Sequence, residues 1–196
     1  TFTPSGKTLI FNAGSSGRTI QTNGVHLGNV EFNNAAGGWQ LVDALTTDNN
    51  LTVTAGTLDV HGQAVNAAGN ITNLGTLTSS SGDLSLTANV ISTGLMTNTA
   101  SGGAIALHGL DDADAIILNG NITTAGGNIT FEGPVSLTTG STVSTGAGSG
   151  NILFSDQLNS PKSSNLVLNA GTSGTLTFTG AVGDSQTFPL GIYTAS

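Results

Sequence analysis

Short runs in which apolar residues alternate with Thr, Ser or Asn recur along the whole chain. The clearest are Leu9-Ile10-Phe11, Val30-Glu31-Phe32, Leu51-Thr52-Val53, Leu84-Ser85-Leu86, Ile105-Ala106-Leu107, Ile129-Thr130-Phe131, Ile152-Leu153-Phe154 and Leu176-Thr177-Phe178. Period-two alternation of residues branched at Cβ predicts half-buried strands, because such side chains pack well on a pleated surface and lose rotamer freedom in a helix. The first residues of these runs are 21, 21, 33, 21, 24, 23 and 24 apart. Six of the seven intervals lie in one narrow range, where solenoid periods begin. The 33-residue interval contains a further candidate, Ile71-Thr72, read as a coil of altered length or an unassigned register.

Secondary strands are predicted between the cores at Thr19-Ile20-Gln21, Thr57-Leu58-Asp59-Val60, Val90-Ile91-Ser92, Ile116-Ile117-Leu118, Val135-Ser136-Leu137 and Thr142-Val143-Ser144. Each period then holds two or three strands. The turns repeat too, as Gly-Asn before a β-branched residue at Gly28-Asn29-Val30, Gly69-Asn70-Ile71, Gly120-Asn121-Ile122, Gly127-Asn128-Ile129 and Gly150-Asn151-Ile152. Asn at equivalent corners can stack into a ladder. The pattern predicts an all-β chain folded as a right-handed parallel β-helix, a β-solenoid with about 21–24 residues per coil. Residues 1–196 are expected to form one continuous domain of about nine coils, roughly 40 Å long at ~4.8 Å per coil, and a fragment of a longer repetitive protein. The competing fold is a hairpin-rich antiparallel sandwich, since Asn-Gly and Gly-Gly also start hairpin turns.

Composition sharpens this picture. Gly is 29 of 196 residues without a three-residue period, which argues against collagen; 37% apolar residues argue against a disordered tail. Glu, Lys and Arg, the usual fillers of a helix's outer face, total only 5 residues. The net charge of -8 rests on three cations, Lys7, Arg18 and Lys162, too few for a nucleic-acid surface or an anionic membrane. No apolar run is long enough to span a bilayer as a helix, Cys is absent, and Thr1 opens the chain without signal-peptide features. Thr1-Phe2-Thr3-Pro4 and Phe188-Pro189-Leu190-Gly191-Ile192-Tyr193 lack an evident polar cap, so self-association through open ends is expected.

Candidate chemistry is sparse. Most carboxylates stand singly beside turns, and the cations that a polysaccharide lyase uses are nearly missing. Asp111, Asp112 and Asp114 form the one acidic cluster; they are candidate ligands for weakly held calcium, with a solvated loop as the preferred reading, and no other cofactor is expected. His26, His61 and His108 are read as isolated turn or surface residues. Serines lack a Gly-x-Ser-x-Gly elbow with partners placed after it. The Thr-x-Thr pairs Thr1-Phe2-Thr3, Thr52-Val53-Thr54 and Thr177-Phe178-Thr179 are too sparse for an ice-binding array. Trp39 is expected to pack against its neighbours; should it share a groove with Asp43 or Asp59, the three become candidate carbohydrate contacts.

The run Gly127-Asn128-Ile129-Thr130-Phe131-Glu132-Gly133-Pro134-Val135-Ser136-Leu137-Thr138, with Ser149 to Phe154, Asn165 to Gly171 and Gly174 to Gly183, resembles the repeats of large bacterial exoproteins of the filamentous-haemagglutinin-like adhesin and autotransported passenger type. The likeness is good over 115–183 and looser over 45–110. It implies a β-helical stalk, secreted or on the surface of a Gram-negative-type bacterium, that serves attachment, aggregation or spacing. The family has no catalytic motif to carry over. A non-enzymatic structural or adhesive segment is therefore expected. Its expected partners are surface glycans or proteins of a host or neighbouring cell and further coils of the same chain, with no nucleic acid and no membrane span. The alternative is a carbohydrate-binding or carbohydrate-processing β-helix.

Overall fold

The computed structural model describes residues 7–111, 115–161 and 164–183, and the backbone of 190–194. The proposed ends at Thr1-Phe2-Thr3-Pro4 and Phe188-Pro189, together with Lys162 and Asp184, lie outside the described residues.

Every strand pairing among the described residues is parallel, so the antiparallel sandwich is excluded. The strands stack into three ladders, one per face of a triangular coil. The first runs through Thr8–Phe11, the start of Asn29–Leu41, the start of Leu51–Asp59, Ile71–Asn73, Ile91–Thr93, Ile116–Leu118, Val135–Leu137 and Leu158–Asn159. The second runs through Arg18–Ile20, the ends of the same two long strands, Thr76–Ser79, Leu95–Ser101, Ile122–Ala125, Ser141–Ser144, Ser164–Asn169 and Leu190–Thr194. The third holds Leu45–Thr47, Val65–Ala67, Leu84–Ala88, Ile105–Gly109, Ile129–Glu132, Ile152–Phe154 and Leu176–Phe178. Eight coils and the start of a ninth are present among the described residues.

The register corrects one reading of the sequence. Ile71 pairs with Leu51 and Ile91 with Ile71, each 20 residues on, so this coil has ordinary length. The 33-residue interval arises because the recurring motif passes from the first ladder at Leu51 to the third at Leu84. All three faces carry the same alternation, which conceals the change of face.

Inward rows explain the alternation. Leu51, Ile71, Ile91 and Ile116 stack at full burial on the first face, as do Leu58, Leu77, Met96 and Ile122 on the second. On the third face Phe131, Phe154 and Phe178 stack nearly parallel, with ring centroids 4.5 and 5.1 Å apart. Beside these rows runs a buried polar one. The Ser79 hydroxyl donates to the Ser81 carbonyl at 2.8 Å, the Asn98 amide to Gly82 and Ala104 carbonyls, and the Thr124 hydroxyl to Gly127. These buried polar side chains are themselves satisfied by corner carbonyls, among them that of Ala104, which also accepts the Leu84 backbone amide.

The Gly-Asn turns, and Asn49-Asn50 in the same position, are one device used at three corners. Asn29, Asn50 and Asn70 precede the first ladder: the Asn50 amide N–H donates to Asn29 Oδ1 at 3.3 Å, and that of Asn70 to Asn50 Oδ1 at 2.9 Å. Asn128 and Asn151 do the same before the third ladder, accepting from Asn151 N and Thr175 N at 2.8 Å each. Asn121 stands before the second and accepts from Thr142 N. The expected ladder of asparagines is thus divided among separate corners.

Two predictions follow from the coil as the unit. Deleting 71–90 brings Ile91 onto Leu51 and should leave a β circular-dichroism spectrum and a cooperative melt, whereas deleting 71–80 breaks the register and should abolish both. Phe154→Ala opens a cavity in the aromatic stack and should lower stability by about 3–5 kcal/mol in denaturant titration.

Candidate functional site

A groove of about 510 Å³ lies outside the second ladder over the first three coils. It arises from a bulge in Asn29–Leu41, where the pairing with the next coil shifts register between Phe32 and Gly38. Ala35, Ala36, Gly37 and Gly38 form one wall; Thr19, Gln40, Thr57 and Asp59 contribute polar side chains.

Trp39 and Asp59 share this groove, and Asp43 is not among the residues lining it. Trp39 is only 3% exposed, its ring 5.2 Å from that of Phe32. It is a packed wall and offers no free face for a sugar to stack on. The glycines above it follow from that packing. A Cβ at Gly37 would lie 2.3 Å from the indole, and Gly56, at φ +86, would put one 2.4 Å from the Asn34 carbonyl.

Asp43 staples a corner instead. Its carboxylate accepts from the Thr22 and Asn23 backbone amides at 2.7 and 2.6 Å and from the Thr22 hydroxyl at 3.2 Å. The Thr22 amide bond is the main reason its carboxyl is held below the ordinary value. It supports the Asn23-Gly24 turn, where both residues have positive φ.

Asp59 joins three coils. It accepts from Gln40 Nε2 at 3.0 Å in the coil before, and from Ser80 N at 3.0 Å and Ser80 Oγ at 2.5 Å in the coil after. The His61 amide donates to it at 2.9 Å. Partial burial pushes this carboxyl up, but the hydrogen bonds outweigh burial and the net displacement is downward. His61 takes the same left-handed turn position as Asn23, with φ 52, and its Nδ1 lies 3.0 Å from Ser80 Oγ.

Gln40, His61 and Ser80 were absent from the sequence-based candidates. Only their spacing signals them, for each lies about one coil from the next.

Ser, His and Asp thus meet at one place, but in the wrong order for nucleophilic catalysis. A triad needs histidine between serine and carboxylate so that the ring takes the hydroxyl proton. Here the Ser80 hydroxyl donates directly to a carboxylate that already accepts three other hydrogen bonds. With its affinity for protons lowered, Asp59 is a poor general base. It is also the only carboxylate among the described residues lining the groove, where glycoside hydrolysis ordinarily uses two.

The other histidines lie apart. His26 faces Asp48 at 3.1 Å and His108 faces Glu132, both pairs exposed and joining successive coils. Among the described residues no three of His, Asp and Glu assemble into a metal-binding group. Asp111 is exposed, with its backbone amide donating to the Asn89 carbonyl; Asp112 and Asp114 of the proposed calcium cluster lie outside the described residues.

No protein-family model, curated protein or solved structure matches the chain. What it shares with the haemagglutinin-like exoproteins is therefore the architecture. A parallel β-solenoid is consistent with those adhesins without being specific to them.

Both lowered carboxyls bind protons less readily in the folded chain than in the unfolded one. Their contribution to stability is complete above the ordinary value of 3.8 and is lost as pH falls through the lower folded value. Asp59→Asn should lower the melting temperature at about pH 7, and the gap from the parent chain should close as the pH is taken below the lowered folded-state value of the carboxyl.

Proposed function

We propose that the chain is a non-enzymatic, rigid segment of a bacterial secreted or cell-surface repeat protein, used to extend and present an adhesive surface. The observation that carries this reading is how the side chains able to do chemistry are used. Asp43 and Asp59 hold turns and neighbouring coils together, and two of the three histidines face carboxylates one coil away. Reactive groups are spent on joining coil to coil.

The outer surface suits presentation. Along the second face the outward row reads Thr19, Gln40, Asp59, Thr78, Thr97, Thr123, Ser144 and Asn169, one hydrogen-bonding residue per coil. Hydroxyls and amides interact with glycans and proteins without a strong net field. The bacterial-surface assignment rests on the resemblance of residues 115–183 to haemagglutinin-like repeats.

Two measurements test the proposal together. Beads coated with the chain should be retained on bacterial or epithelial cell layers above albumin-coated beads. The soluble chain should release no reducing ends or unsaturated products from a panel of neutral and acidic polysaccharides. Retention at the albumin level would overturn the adhesive role, and steady product release would overturn the non-enzymatic one.

A further inference from the structure

We infer that the groove beside the bulge is a binding site for a neutral saccharide unit, held by Gln40, Thr57 and Thr19. Its volume of about 510 Å³ falls in the range of small-ligand sites. The polar side chains divide into two sets. Asp59 is filled by four hydrogen bonds, one of which, from Gln40 Nε2, fixes the Gln40 amide and leaves its Oε1 as an acceptor with no hydrogen bond to the described residues. The hydroxyls of Thr19 and Thr57, on the same floor, also make no hydrogen bond to the described residues. Free donors and acceptors thus line the groove, while the carboxylate positions one of them from behind.

The chemistry of the lining selects the ligand class. Among the described residues that line it the one charge is the Asp59 carboxylate, with no cationic side chain, so phosphates, uronates and sialic acids meet repulsion without a counter-charge there. A cation would find carboxylate oxygens already occupied. A purely apolar ligand would bury the threonine hydroxyls and the Gln40 carbonyl unpaired. A neutral sugar ring has hydroxyls for that floor and C–H surfaces for Ala35, Ala36 and the glycine backbone. Because the indole is covered, the ring lies against this wall edge-on to the tryptophan rather than stacked over it. The bulge accounts for the location: where the corner between the first two faces is short, as at Gly75 and Gly94, no such wall rises.

Trp39 is the only tryptophan in the chain, so its indole N–H resonance is a single reporter beside the groove. The test titrates the labelled full chain with glucose, galactose, lactose and cellobiose, and with glucuronate and sialic acid as charged controls. At least one neutral sugar should shift the resonance saturably in the millimolar range, and the charged sugars should not. Gln40→Leu and Thr57→Val should each weaken binding about tenfold, the loss of one well-placed hydrogen bond, with an unchanged melting temperature for Thr57→Val. If Gln40→Leu fails to fold, Thr57→Val decides. No shift with any neutral sugar, equal binding of charged sugars, or affinity indifferent to the folded variants would overturn the assignment.

Discussion

Each coil obtains its backbone hydrogen bonds from the coils on either side, and that requirement governs the rest of the molecule. A parallel ladder supplies no backbone partners within a strand, and bonds between residues three apart, such as Val25 N to the Thr22 carbonyl, occur only at corners. The inward residue of one turn must therefore fall on the inward residue of the next. Leu51, Ile71, Ile91 and Ile116 do so on one face while Phe131, Phe154 and Phe178 do so on another. Turns can lengthen only at corners. Partners on the first face are 20 apart at Ile71 and Ile91 but 25 apart at Ile91 and Ile116, with the extra residues placed in the connections.

The same constraint explains where polar chemistry went. A carboxylate near a corner lies close to backbone amides of the adjacent coil, and Asp43 and Asp59 are both captured in this way. Bonds from Gln40 and Ser80 bring Asp59 into contact with residues 19 and 21 positions away, distances set by the register alone. The resulting cluster resembles a catalytic constellation in composition, but it works as a staple. The groove differs because the bulge in Asn29–Leu41 departs from the repeat, which leaves hydroxyls and an amide oxygen without hydrogen bonds to the described residues.

Much of this fold was legible because a strand with one buried face announces itself by alternation, as at Ile105-Ala106-Leu107 and Ile129-Thr130-Phe131. Thr76–Ser79 and Leu95–Ser101 escaped notice because their buried positions include Ser79 and Asn98, polar residues that bond to corner carbonyls and blur the pattern. The assignment of runs to faces was not legible, since all three faces carry the same code. Trp39 packs in the core, and Gly37 before it is the local sign that a large ring lies close beneath the backbone. Asp43 and Asp59 are near in sequence yet serve different corners, which only the register reveals.

The register between the third and fourth coils is therefore the most direct test of the account. The chain has no cysteine, so pairs can be introduced cleanly: Thr52→Cys with Thr72→Cys joins outward partners in adjacent strands, within reach of a disulfide, and Thr52→Cys with Ser85→Cys joins the positions that a 33-residue coil would bring together. Mild oxidation should close the first pair rapidly within the monomer and leave the second as free thiols. Closure of the second pair, with the first remaining reduced, would contradict the three-ladder arrangement on which the fold and the groove both depend.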